Sequence, residues 1–220
     1  MNDAISADEA TKIIEGIARE IERNTDYLTR LDQAIGDGDH GINLAKGFRA
    51  VLERLNDLKG KDIGKTLKSV GMILVSNVGG AVGPLYGSAF MNAGNVVEGK
   101  TEVNLSDMAK MFEAAEQGII DIGKASFGEK TMLDAVHPAV IAIRKALEQN
   151  RPLIEAFEVS LVAAEEGMKS TIDRISKRGR SSYLGERSRG HQDVGATSTY
   201  VMLKSCLLYT SPSPRDRTRS

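Results

Sequence analysis

Disulfides, strands and net charge are what this chain lacks. It has a single cysteine, Cys206, so no internal disulfide staples it. Aromatic residues make up only 5% of it, and nowhere does apolar–polar alternation persist long enough to read as a half-buried strand. No Asn-Gly or Asp-Gly pair joins two apolar runs, which removes the usual hairpin signal. Lys plus Arg (29) nearly cancel Asp plus Glu (30), giving neither a nucleic-acid footprint nor an acidic disordered tail. The amino terminus, MNDAISADEATK, lacks the basic and apolar regions of a secretion signal, so a cytoplasmic protein is expected. The uncharged stretch from Val70 to Val97 is broken by six glycines, Pro84 and three asparagines. It reads as two buried helices around a glycine-rich turn rather than a membrane span.

What is present is helical periodicity. With 41% hydrophobic residues in 220 positions, one packed domain is expected. Ile13, Ile14, Ile17, Ala18 and Ile21 recur at the spacing of an amphipathic helix over Ala10 to Ile21. The same period appears in Leu44–Leu55 and in Ile63–Val75, the latter introduced by Asp62. Ser106 is read as the N-cap of a helix reaching about Ile122, a further helix is expected from Lys130 to Leu147, and Pro152 opens another. The count of periodic segments gives an all-α domain of about eight helices.

Glycines cluster in the connections, at 36–41, 79–87, 123–128, 179–190 and 195, where backbone must turn tightly or approach a ligand. If neighbouring helices run antiparallel, alternate connections emerge at one end, and several of these loops can meet there. The segment Leu31-Asp-Gln-Ala-Ile-Gly-Asp-Gly-Asp-His-Gly41 puts three carboxylates within eight residues. Such a cluster repels itself unless a cation joins it; a solvated acidic turn that caps the next helix is the plain alternative. A calcium loop begun at Asp37 fails, because its sixth and twelfth positions are Ile42 and Phe48. Gly36-x-Gly38-x-x-Gly41 matches a dinucleotide fingerprint, but no strand pattern precedes it and its aspartates would repel a pyrophosphate. No Walker-type loop occurs. A magnesium site completed by phosphate oxygens accommodates acids beside an anion, and the helix after Gly41 would add its N–H groups.

Together with this loop, three further segments resemble the ADP-binding L subunits of bacterial dihydroxyacetone kinases, the DhaL family. They are Gly79-Gly-Ala-Val-Gly-Pro-Leu-Tyr-Gly-Ser, Gly128-Glu-Lys-Thr-Met-Leu-Asp, and Gly179-Arg-Ser-Ser-Tyr-Leu-Gly-Glu-Arg-Ser-Arg-Gly-His-Gln-Asp. The similarity runs in order from about Ile13 to Leu203.

The resemblance implies an eight-helix antiparallel barrel with a nucleotide, ADP or ATP, at one end. Asp32, Asp37 and Asp39 match the ligands of magnesium, taken as two ions, and with Arg180 form the implied catalytic set. His40, Gly41, Ile42 and Asn43 match the segment that meets the phosphates, and Ala81 and Val82 lie on the glycine-rich phosphate loop. Gly123, Met132, Arg180, Asp193, Val194 and Gly195 match the other nucleotide contacts. Met132 is read as an apolar wall for adenine or as helix core, His40 as a phosphate donor or a cap, Arg180 as a phosphate partner or a solvated basic turn. His191 is read as stabilising its loop and His137 as structural. Val82 stands where relatives usually carry serine, and Val194 where they carry proline.

The family also implies phosphoryl transfer that needs a separate K subunit holding dihydroxyacetone. A phosphohistidine (M) subunit of the phosphoenolpyruvate system would recharge bound ADP. Contact with a transcription factor is a further implied partnership; nucleic acid and membrane are not expected partners. An ATP-exchanging subunit for another ketose such as erythrulose, a nucleotide-binding regulator and a plain helical scaffold are the competing readings. The family domain is assigned to residues 1–204. Residues 205–220, with Pro212 and Pro214 excluding a helix there, are expected to be disordered or an artefact of sequence assembly.

Overall fold

The fold was obtained as a computed structural model that describes residues 3–210, with side chains through Leu208. The helices are α1 (Ala7–Arg23), α2 (Thr25–Ile35), α3 (His40–Leu58), α4 (Ile63–Asn77), α5 (Val82–Val96), α6 (Leu105–Gly123), α7 (Leu133–Glu148), α8 (Leu153–Ser170) and α9 (Val194–Thr210). Two short strands, β1 (Ala4–Ser6) and β2 (Glu102–Asn104), pair antiparallel, with Ile5 opposite Val103. Among the described residues that is the whole of the sheet.

Among the described residues, eight of the nine α-helices form a closed ring. From α3 to α9 each packs on the next, α9 packs on α1, and α1 packs on α3. The expected eight-helix barrel is this ring; α2 is additional, laid against α3 and α9. The periodic apolar faces turn inward, burying Ile14, Ile21, Leu44, Phe48, Leu74 and Ile143 almost completely. Burial of each such side chain contributes about 1.5–3 kcal/mol. An apolar cavity of about 200 Å³ persists along the barrel axis, lined among others by Ile17, Phe90, Met108, Phe157 and Met202.

The uncharged stretch near residue 80 forms a closely packed helix pair. A Cβ on Gly71 would lie 2.6 Å from the Gly87 carbonyl oxygen, and one on Gly94 would lie 2.7 Å from that of Gly64, so glycines let the α4 and α5 backbones touch. None of the described helices is long and apolar enough to cross a membrane.

The structure corrects several boundaries. The cap of α6 is Asn104, not Ser106: its side chain takes the Asp107 N–H while the Asp107 carboxylate takes the Asn104 N–H, a reciprocal box that Ser106 cannot form. The helix expected from Lys130 begins at Leu133, because Lys130 has a positive φ of 61°. Helix α9 passes the boundary assigned at Lys204, with Ser205 buried and Cys206 packed against the core. Residues 205–208 therefore belong to the barrel, and Pro212 and Pro214 lie outside the described residues.

Candidate functional site

Four connections, α2–α3, α4–α5, α6–α7 and α8–α9, surround one cleft of about 310 Å³. They are alternate connections, and so α3, α5, α7 and α9 all begin at this end of the barrel. Four helix amino termini give the cleft a positive field, the setting an anion requires. No side chain caps α5, so the N–H groups around Ala81 and Val82 are offered by backbone alone. Val82 itself offers no hydroxyl there, and the backbone contribution does not depend on its side chain.

Against that field stand three acids. One carboxylate oxygen from each of Asp32, Asp37 and Asp39 lies within 4.8 Å of the others. Asp32 is buried at the end of α2, and its Oδ2 accepts the N–H of Asp39 at 2.9 Å and of His40 at 3.1 Å. These bonds fold the loop so that the other two acids come round to it. Gly36 makes the approach possible: a Cβ there would sit 2.1 Å from Asp32 Oδ1. Gly38 supplies the turn with φ of 76°. Asp39 is held above the ordinary carboxylate range by desolvation and then by Asp37 and Asp32. Hard oxygen donors, mutual repulsion and converging geometry fit a magnesium ion. Arg180 Nη1 lies 2.6 Å from Asp37 Oδ2 and offsets part of the charge.

Of the nucleotide-contact residues expected from sequence, His40, Ala81, Val82, Gly123, Met132, Arg180, Asp193, Val194 and Gly195 line the cleft with the three acids. Gly41, Ile42 and Asn43 are not in its lining. Gly41 packs on α2, where a Cβ would meet Thr25 O at 2.3 Å; Ile42 is exposed; Asn43 hydrogen-bonds Asp39. Met132 is buried and lines the cleft. Sequence reasoning missed the apolar wall of Ile35, Leu85, Ile119 and Ala125, because these residues carry the same periodic signal as the core. His137 pairs with Glu116 at 2.6 Å and does not line the cleft, and His191 is exposed.

His40 serves the barrel more than the cleft. Its Nε2 meets Ser198 Oγ at 2.9 Å, and Ser198 Oγ meets the Tyr86 hydroxyl at 2.7 Å. Burial lowers the imidazole to about 4, so the native ring is neutral. An unfolded histidine takes a proton below about 6.5. The native protein therefore loses stability as pH falls from that value towards 4, on the order of 3 kcal/mol in all. Asp193, raised to about 7 by burial, acts with opposite sign: its contribution is lost as pH rises from the ordinary aspartate range to about 7. Comparing wild type with His40→Gln isolates the first effect. Denaturant midpoints should fall with acidification more steeply in wild type, and parallel profiles would refute a neutral buried His40.

Residues 34–208 match the DAK2 domain family. The chain is a member of that family. This DAK2 chain is 45% identical over 184 residues to the ADP-binding subunit DhaL of the PEP-dependent dihydroxyacetone kinase of Escherichia coli K12, covering 84% of this chain and 88% of that one. It is 44% identical over 197 residues to the ADP-binding subunit DhaL of the PEP-dependent dihydroxyacetone kinase 2 of Listeria innocua, covering 89% and 91%. Its fold matches the crystal structure of the dihydroxyacetone kinase from C. freundii in complex with AMP-PNP and Mg2+, with TM-score 0.66 and 23% identity. That match covers 89% of this chain and 33% of the C. freundii chain, so the DAK2 barrel corresponds to a third of a larger protein.

Proposed function

We propose that this DAK2 chain is the nucleotide-holding subunit of a cytoplasmic dihydroxyacetone kinase, with ADP and a pair of magnesium ions bound at the aspartate loop. The observation that carries the reading is the carboxylate triad set among four helix amino termini. Acids in a positive field make sense where a metal joins them to phosphates. Magnesium supplies charge neutralisation across the phosphate oxygens. Asp32, fixed by two backbone donors, is the rigid ligand; Asp37 and Asp39, exposed on the glycine turn, are held by Arg180 and Asn43. Backbone N–H groups near Ala81 and Val82 hold the phosphate chain, Met132 and Leu85 face the base, and Arg180 covers the transferred group.

The relatives from E. coli and L. innocua are subunits of PEP-dependent kinases, which favours ADP recharged in place by a phosphohistidine subunit. The acceptor hydroxyl of dihydroxyacetone then comes from a separate K subunit. With the cleft open at the barrel end, the bound phosphoryl group faces outward, towards such a partner. The purified chain given ATP and dihydroxyacetone should form no dihydroxyacetone phosphate. Adding the K subunit and the phosphorylated histidine donor should start turnover. Phosphorylation by the chain alone would overturn this division of labour.

A further inference from the structure

Arg180 sits on a long connection between α8 and α9 made of 3-10 turns and bends, with positive φ at Gly179, Gly185 and Gly190. Its 3-10 turns are interrupted at Gly185 and have poorer hydrogen-bond geometry than an α-helix, so much of what fixes the segment over the acids must come from elsewhere. Part of the answer lies in residues 128–134. The carbonyl of Glu129 accepts the Lys177 N–H at 3.1 Å, its carboxylate accepts Arg178 Nε at 2.8 Å, and Asp134 pairs with Arg174. The first two contacts touch the segment near its start, and an exposed ion pair such as Arg178 with Glu129 adds little.

One side chain reaches both ends. The ammonium of Lys130 donates to the carbonyl of Arg174 at 3.1 Å and to the carbonyl of Ser188 at 2.6 Å. Lys130 is only 1% exposed, and its backbone has a φ of 61°, a region a side-chain-bearing residue seldom occupies. A buried ammonium on a disfavoured backbone persists only where its surroundings over-determine it. Here two carbonyls receive it and the Asp193 carboxylate supports its charge. Ser188 extends the tie: its hydroxyl accepts the Ser176 N–H at 2.9 Å and donates to the Gly185 carbonyl at 2.6 Å, closing the segment on itself.

We infer that Lys130 is a positioning residue, a buried pin that draws the two ends of the 174–188 segment together and so holds Arg180 over the aspartate triad. The pin acts through backbone carbonyls, and so it fixes the loop whatever the intervening side chains are. Its effect on ligand residence rests on the nucleotide reading above; its effect on the segment does not. Hydrogen bonds from a charged group of this kind correspond to about ten-fold or more in an equilibrium.

Two readouts on the full chain test it: the rate of tryptic cleavage within Arg178–Arg189 under native conditions, located by mass spectrometry, and the release rate of a fluorescent ADP analogue in Mg2+. Lys130→Met keeps the bulk of the stem and removes the donors; Lys130→Gln, run alongside, keeps an uncharged N–H donor group and serves if the first does not fold. Val51→Ala, a core truncation on α3, controls for general loss of stability. The pin requires cleavage about ten-fold faster or more, with release faster by a smaller factor, in Lys130→Met, a smaller rise of both in Lys130→Gln, and wild-type behaviour in Val51→Ala. Cleavage unchanged in both lysine variants, or raised as much by Val51→Ala, would overturn it. If wild type fails to bind the analogue, the nucleotide reading falls while the cleavage rates still decide whether Lys130 pins the segment.

Discussion

Asp37→Asn should yield a folded protein stripped of its nucleotide. Asp37 is exposed on the glycine turn and its ion pair with Arg180 is a surface pair, of a kind that contributes at most about 1 kcal/mol. Without metal, its charge raises the proton affinity of Asp39, so removing it relieves repulsion. The melting temperature of the nucleotide-free protein should therefore hold or rise slightly. Binding should move the other way. Losing one of three charged oxygen ligands is expected to weaken Mg-ADP by ~100-fold, about 2.7 kcal/mol. Chromatography of nucleotide released on denaturation checks this: near-stoichiometric ADP from wild type and almost none from the variant. A variant that retains ADP would remove Asp37 from the metal site.

The second large effect is kinetic. In the reconstituted kinase Arg180→Ala should lower turnover by ~10³-fold or more, while ADP retention changes by less than about ten-fold. A guanidinium that meets charge developing on a transferred phosphoryl group acts mainly in the transition state. Arg178 is the internal comparison, since it lines the same cleft but its Nε is engaged by Glu129 at 2.8 Å. Arg178→Ala should cost far less in turnover. If the large loss followed Arg178 instead, the roles given to the two arginines would be exchanged.

Much of this architecture is legible in the sequence because barrel helices advertise one apolar face each. Helix α4 is read closely, from Asp62, whose Oδ1 accepts the Lys65 N–H, through an apolar stripe that packs on α5. Helix α2 escapes, since its eleven residues bury only Leu28, Asp32 and Ile35 and it runs straight into the aspartate loop. Asn104 and Ser106 are equally good caps by type; the choice is made by Asp107, three residues beyond Asn104. In the cleft, the acids and glycines are conspicuous because charge density and missing side chains are unusual locally. The apolar wall and Lys130 are not, since their roles come from partners far along the chain, as with Ser188 and the Lys130 ammonium. Gly41 and Asn43 are read from the resemblance alone: Gly41 packs on α2 and Asn43 hydrogen-bonds Asp39, contacts that no local pattern announces.

In the proposed function the three carboxylates hold the nucleotide through a divalent cation. Calorimetric titration of ADP into the nucleotide-free chain, with Mg2+ in excess and again with a chelator, tests it most directly. One ADP per chain binding tightly with Mg2+, and binding abolished by the chelator, is the expected pair of results. ADP bound equally well without the cation would contradict the account.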